Sequence, residues 1–334
     1  MANGIVGRAQ GFVADQTELL QLVVDGLGVY NQTALPVIAE MCADVIQETM
    51  RVPQSPLQFN RHSDGGSPES QRQSYRLLST PLEDWEAGAP FTVIGLQDAL
   101  PSDISATLNG IMAGDAERMN AEFWRACFTK RTAGSVGTSY QASFYNGETD
   151  VPNYKNTTHY GSPHAHFVGI NTTTLALSHL QTGINHIRHH GYGLTPGSLV
   201  AWFNTAQLDD LENLLNMTVA TYLQTPSRVI AQEQGAYNTG VQYAGCQIQF
   251  DDGVPSGYFA ILDRTVQPMS RRLHRDPQYR GLQMYASSFN ENYPLAGQTF
   301  LNRYGFAVRQ LGAGYCAQIV GSTSYTNPTW RLAN

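Results

Sequence analysis

Seven of the nine histidines fall between His159 and His190: His159, His164, His166, His179, His186, His189 and His190. Imidazole ligates transition metals and carries protons near neutral pH, so a run this dense is the first place to look for chemistry. At about 100° per residue, a helix puts His179, His186 and His190 on one stripe and Leu177, Leu180, Ile184 and Ile187 on another. His186 and His190 have the i, i+4 spacing that holds one metal ion. With His164 or His166 as further ligands, the chemistry would be that of zinc or iron. Against this, no H-E-x-x-H occurs, and residues 156–208 contain no Asp or Glu to orient a ligand or act as a base. The expectation is a polar helix face that uses histidine, with no metal and no cofactor. His179, His186 and His190 are the cluster on which a metal reading would rest.

Other catalytic signatures are missing. There is no G-x-S-x-G, no G-x-x-x-x-G-K-[ST] and no G-x-G-x-x-G after a strand pattern. Gly312 and Gly314 form a G-x-G, but between two strand patterns, where a hairpin turn is the simpler reading. The acidic pairs Glu83-Asp84 and Asp251-Asp252 sit beside turns, and adjacent side chains do not face each other as a dyad. The chain is not expected to be an enzyme.

The elements that would position these residues are mixed. Thr17 to Leu27 and Thr33 to Met50 read as helices, the second from Leu35, Val37, Ile38, Met41, Val45 and Ile46. Ser102 to Lys130 is the clearest helix, with Ile104, Leu108, Ile111, Met112, Met119, Phe123 and Cys127 on one stripe. Leu175–His190 and Asp209–Leu223 read as helices. Ser198–Phe203, Cys246–Phe250 and Tyr258–Leu262 read as strands, and Thr299–Gln310 with Tyr315–Val320 as a hairpin. Residues 51–98 differ. They carry five prolines and a polar Ser63-Asp64-Gly65-Gly66-Ser67 tip, flanked by weak strand patterns (Leu57–Arg61, Ser74–Leu78). A long, weakly apolar hairpin has no core of its own, so it needs another surface to lie on.

Composition narrows the function. Of 334 residues, 42% are hydrophobic, enough for a sizeable core, but only 14% are charged. That is well below the roughly 25% usual for soluble domains. An uncharged polar surface is cheaper to desolvate, which suits a chain that covers much of its outside with neighbours. The net charge of -7 excludes a module that grips nucleic acid by neutralising phosphates. Lys130 and Lys155 are the only lysines; the other basic residues are arginines, whose planar fork suits interface ion pairs. Cys42, Cys127, Cys246 and Cys316 show no C-x-x-C spacing and are expected to be buried thiols. No signal-peptide pattern or apolar run of about 18 residues appears, so neither export nor membrane spanning is expected.

The order of motifs resembles the major capsid protein of tailed bacteriophages, the HK-97-type fold, in a branch common among phages of actinobacteria. The resemblance rests on Phe12-Val13-Ala14-Asp15 with Thr17-Glu18-Leu19-Leu20, the Pro-rich segment with its Asp64-Gly65-Gly66 tip, and Pro81-Leu82-Glu83-Asp84 ahead of the long helix. It continues through Tyr145-Asn146-Gly147, Val151-Pro152-Asn153-Tyr154, His164-Ala165-His166 and His189-His190-Gly191-Tyr192-Gly193. Pro255-Ser256-Gly257-Tyr258, Arg280-Gly281-Leu282 and Tyr304-Gly305-Phe306-Ala307-Val308-Arg309 complete it.

What the resemblance implies is an α+β fold in five segments: an N-terminal arm (1–50), an extended E-loop (51–98), a first P-domain part with the spine helix (99–159), an α/β A-domain (160–285) and P-domain return strands with the tail (286–334). The implied function is a structural one. Copies of the chain assemble into hexamers and pentamers of an icosahedral shell that encloses double-stranded DNA without binding it specifically. The implied partners are further copies of the chain, a separate scaffolding protein, a portal and, as an option, a cement protein; no membrane is involved. The location is the virion. Asp64, Gly65, Gly66, Arg72, Arg76, Glu83 and Asp84 are the implied inter-subunit contacts. Some members of the family cross-link an E-loop lysine to a neighbour's asparagine. Residues 51–98 contain no lysine, so a shell held by non-covalent contacts is expected. An encapsulin-type compartment is the alternative within the fold, and a histidine-rich metalloenzyme the alternative outside it.

Overall fold

The computed structural model describes residues 23–33, 35–53, 75–92, 101–131, 141–148, 151, 164–215, 236–286 and 295–330. After a helical stretch at 23–32, the elements run α1 (Pro36–Met41), β1 (Cys42–Val45), β2 (Thr49–Pro53), β3 (Tyr75–Ser79), β4 (Glu83–Thr92) and α2 (Pro101–Phe128). They continue β5 (Phe167–Gly169), α3 (Leu177–His189), β6 (Leu199–Phe203), α4 (Leu208–Leu215), β7 (Ala236–Tyr243), β8 (Cys246–Asp251) and β9 (Tyr258–Asp263). The last are β10 (Met269–Leu273), β11 (Gln283–Ala286), β12 (Leu295–Val308) and β13 (Gly314–Gln318). The chain forms two compact units: 1–35 with 82–120 and 273–305, and 36–81 with 121–272 and 306–334. These divide the chain at points other than the five expected segments. Among the described residues no helix is long and apolar enough to cross a membrane.

In the first unit, β12 pairs antiparallel with β11 and with all ten residues of β4. The core is small: Val23 and Leu27 of the helical stretch, Leu108 of α2, Leu282 and Phe300, with Tyr30, Ile111, Met112 and Met284 packed on it. The Arg118 guanidinium lies 4.0 Å from the centroid of the Trp85 ring. Asp115 is set into this unit. Its Oδ2 accepts hydrogen bonds from Tyr30 Oη and from Asn302 Nδ2, both at 2.8 Å. Burial raises the Asp115 carboxyl above its ordinary 3.8, and the two hydrogen bonds only partly oppose this.

That shift has a sign that can be measured. A carboxyl whose folded pKa is raised binds a proton more readily in the folded state. Asp115 therefore adds stability as pH falls from neutral through its raised pKa, and the gain is complete below the unfolded value. Asp115→Asn keeps an oxygen acceptor and removes the charge. It is expected to be at least as stable as the parent at pH 7 and to lose that acid-side gain. Asp115→Ala orphans the buried Asn302 amide and is expected to cost about 1–3 kcal/mol. Urea unfolding at pH 7 and pH 5 reads both; equal losses in the two variants would contradict the assignment.

The second unit is built on a six-stranded sheet, ordered β5-β13-β9-β6-β8-β7. All residues of β6 and β9 are buried, the pattern of strands covered on both faces. Helix α3 covers the sheet through Leu180, Ile184 and Ile187, which join Ile248, Phe250, Phe259, Ile261 and Tyr315 in one core. Gly183 lets the helix come close: a Cβ there would lie 2.7 Å from Tyr315 and 2.8 Å from Ile261. β7 and β8 meet at Ala244-Gly245, both at positive φ (50° and 81°), as a two-residue hairpin turn demands. β2 and β3 form a separate two-stranded hairpin. All four cysteines are buried thiols.

Two expected elements differ. The segment 33–50 is not one helix. α1 buries Val37, Ile38 and Met41, but Cys42–Val45 then pairs in parallel with β10, from Cys42 opposite Met269 to Val45 opposite Arg272. The ladder, reinforced by Arg271 forking onto Asp44 at 2.7 and 2.9 Å, outweighs local helical periodicity. Nor is there a hairpin at Gly312-Ala313-Gly314. β13 pairs with β5 and β9, and a short 3-10 turn precedes it. The glycines serve close packing. A Cβ on Gly312 would sit 2.7 Å from His190 Cβ, and one on Gly314 would enter the Phe144 ring. Thr17–Leu22, Leu57–Arg61 and the Asp64-Gly65-Gly66 tip lie outside the described residues.

Candidate functional site

Five histidines converge within the second unit. His164 and His166 lie just before β5, His186 and His189 lie in the last turn of α3, and His190 caps that helix. The His164 ring centroid is 5.3 Å from that of His166, 4.6 Å from His186, 4.7 Å from His189 and 5.1 Å from His190. His166 and His190 are 5.0 Å apart. Tyr145 packs against His164, His166 and His190 at 5.3, 5.3 and 4.5 Å. The ligand nitrogens of His164, His166 and His190 all lie within 4.8 Å of one another.

The chain folds this way for local reasons. The α3 stripe of Leu180, Ile184 and Ile187 must face the core, which swings the intervening histidines toward the start of β5. The helix then stops at Gly191, whose φ of 87° suits glycine. His190 leaves helical geometry there (φ −91°, ψ 4°).

The main chain fixes how these rings present themselves. His166 is fully buried, and its Nδ1 lies 2.6 Å from the Gly314 carbonyl. A carbonyl oxygen only accepts, so Nδ1 carries the proton and Nε2 is a bare lone pair. Among the described residues that Nε2 has no hydrogen-bond partner. His164 repeats the pattern: its ring hydrogen-bonds the His186 backbone and its Nε2 has no partner among the described residues. His186 bonds the Ala165 backbone, and its Nδ1 has no partner among the described residues. Burial, then the neighbouring His186, His190 and His189, pushes His164 down to about 3. Burial first, then His190 and His164, holds His166 well below the usual histidine range. Burial also lowers His186. These rings are neutral donors of electron pairs at physiological pH.

The expected cluster needs one correction. His186 and His190 belong to the site, but His179 does not. Its Nδ1 accepts from the Ala176 backbone N–H at 3.0 Å, closing the N-terminus of α3. Seven residues along the helix from His186, it is held at the opposite end. His189 is the member that helical spacing misses. The ordinary 100° step takes it off the stripe, but the site is assembled from three chain segments and not along one helix face.

The expected contact residues divide. Asp64, Gly65, Gly66 and Arg72 lie outside the described residues, and Arg76 is placed only by its backbone, opposite Val52 in the β2–β3 hairpin. Glu83 and Asp84 are exposed on β4. Asp84 has a partner within the chain. Arg303, its register neighbour on β12, forks onto it at 2.9 Å (Nε–Oδ1) and 3.0 Å (Nη2–Oδ2).

No protein-family model matches the chain, and no curated protein does. Solved structures do. A chain of Mycobacterium phage Patience is 21% identical, with a TM-score of 0.67 over 93% of this chain and 90% of that one. The capsid of a native GTA particle is 12% identical, with a TM-score of 0.51 over 86% of this chain and 90% of that one. The capsid of Cyanophage P-SCSP1u is 10% identical, with a TM-score of 0.51 over 84% and 87%. The chain thus has a mixed helix-and-sheet fold of the kind found in these capsids.

Proposed function

We propose that this chain is the major capsid protein of a tailed bacteriophage and that its copies form the hexamers and pentamers of an icosahedral shell. The observation that carries the reading is a fold match over 93% of the chain and 90% of a phage chain, with a TM-score of 0.67. The low charged fraction of 14% supports it, because such a surface is easily desolvated against neighbours. Segments 1–50, 51–98, 99–159, 160–285 and 286–334 are assigned to the arm, E-loop, first P-domain part, A-domain and P-domain return. A net charge of -7 suits a wall that encloses DNA without gripping it. A separate scaffolding protein, a portal and a cement protein are the partners of this reading. Each subunit contact can be weak, since closure makes many act together.

Negative-stain electron microscopy of the expressed full chain after size exclusion tests it. Closed shells, or stable hexamers and pentamers when a scaffold is co-expressed, are expected. Boiled shells should run as a single 36.7 kDa band, because no E-loop lysine is present to cross-link. Monomers that stay monomeric even with the scaffold supplied would overturn the assignment.

A further inference from the structure

We propose that His164, His166 and His190 hold a divalent transition-metal ion of the zinc type, with His186 beside them to complete the coordination. Several ring nitrogens of the cluster leave lone pairs unsatisfied among the described residues. His166 Nε2 is buried and, among the described residues, has no hydrogen-bond partner. Among the described residues His164 Nε2 and His186 Nδ1 are also buried without a partner. Each of these rings has its other nitrogen bonded to the main chain. Buried acceptors left without donors are costly, and native structures rarely keep them. A trapped water has two protons and leaves one of three such lone pairs empty. A cation accepts a lone pair from each ring it coordinates, and His164, His166 and His190 present ligand nitrogens within 4.8 Å of one another.

The chemistry of the ligand set selects the ion. All donors are imidazoles, which suit zinc, copper, nickel and iron and do not suit calcium or magnesium. Zinc takes such ligands at about 2.0–2.1 Å in a tetrahedron, which separates the nitrogens by roughly 3.3–3.4 Å. The ligand nitrogens of His164, His166 and His190 already lie within 4.8 Å of one another, so small ring rotations bring these three to an ion. The carbonyl of Gly314, bonded to His166 Nδ1 at 2.6 Å, is the kind of outer partner that fixes the tautomer of a metal-bound histidine. Tyr145 roofs the site against His190. Arg188, in the same helix turn as His186 and His189, is directed elsewhere: it donates to the Gly193 and Ala244 carbonyls, both at 3.1 Å. A closed set of protein ligands makes the site structural. The ion would pin the start of β5, the end of α3 and the turn before β13 to one point.

The test uses Zn²⁺ as the probe and Co²⁺ as its spectroscopic stand-in. The full chain is stripped with EDTA, dialysed against Zn²⁺ and analysed for bound metal. One equivalent per chain is expected for the parent and for His179→Ala. His164→Ala and His190→Ala are each expected to fall below about a tenth of an equivalent at the concentration that saturates the parent. Loss of a ligand should cost more than the roughly 10–100-fold in affinity that loss of an outer partner costs. His164 is only half-buried, so its alanine variant should fold, and circular dichroism checks this. Independently of any variant, Co²⁺ on the parent chain should give the intense visible bands of a tetrahedral nitrogen-ligated site. A parent chain that takes up no zinc overturns the proposal, as does octahedral cobalt or zinc binding undiminished in His164→Ala.

Discussion

Replacing residues 54–74 with a Gly-Ser-Gly-Ser loop is expected to leave a folded chain that no longer closes into shells. The β2–β3 ladder runs from Thr49 opposite Ser79 to Pro53 opposite Tyr75, so its open end is where 54–74 departs and returns. Pro53 lacks the N–H that a two-residue turn needs from its closing pair, and a four-residue loop avoids that demand. The base of the hairpin has its own anchors. Leu78 is buried with Ala142 and Leu311, Thr80 Oγ1 bonds Ser270 Oγ at 2.9 Å, and Arg272 Nη1 donates to the Thr80 carbonyl at 3.0 Å. None of these involves 54–74. The unfolding free energy read by urea titration should therefore stay within about 0.5 kcal/mol of the parent, the usual range for changes away from the core. Assembly should respond very differently. In a closed shell each copy makes the same contact, so removing it removes every instance at once, and avidity magnifies the loss. Shells of parental diameter from the shortened chain would show that 54–74 is ordinary surface and end its assignment as an E-loop.

Much of the second unit was legible in the sequence because its elements are locally consistent. β6, β8 and β9 are short apolar runs between turn residues, and α3 is bounded by a leucine stripe and Gly191; the structure places each within a residue or two of the expected range. The failures share a physical cause. Cys42–Val45 could continue a helix by periodicity, and only a partner 227 residues away in the chain, Arg271 to Asp44, makes it a strand. Thr299–Gln310 and Tyr315–Val320 look like a hairpin because a Gly-x-Gly joins them. The glycines are there for Phe144 and His190, residues that no local window contains. The histidine site follows the same rule. Its density was visible, but spacing along one helix selected His179 and omitted His189. The site is made where two loops meet a helix end, so its membership is a tertiary fact.

Trp124→Ala should be the most destabilising single substitution in the second unit. Trp124 is fully buried near the end of α2, with its ring 4.8 Å from Phe123, 5.8 Å from Phe128 and 5.7 Å from Trp202 of β6. The neighbours are themselves committed. Phe123 packs edge-on to Phe306 at 5.9 Å, Phe128 packs on Tyr258 of β9 at 5.9 Å, and Tyr325 Oη donates to the Phe128 carbonyl at 2.6 Å. Rings tied to two strands and a tail cannot slide into the space an indole leaves, so the cavity stays open. Truncating a buried Phe or Trp to Ala costs about 3–5 kcal/mol when the site cannot collapse. Against a total stability of about 5–15 kcal/mol, that loss is enough to deplete folded subunits. Trp124→Phe separates volume from polarity. Among the described residues the Trp124 Nε1 has no hydrogen-bond partner, so phenylalanine gives up no buried hydrogen bond there and should recover more than half of the loss. Urea unfolding of the soluble chain measures both. A cost below about 1 kcal/mol for the alanine variant would mean that the aromatic cluster repacks, and that the end of α2 is not held to β6 and β9 by these rings.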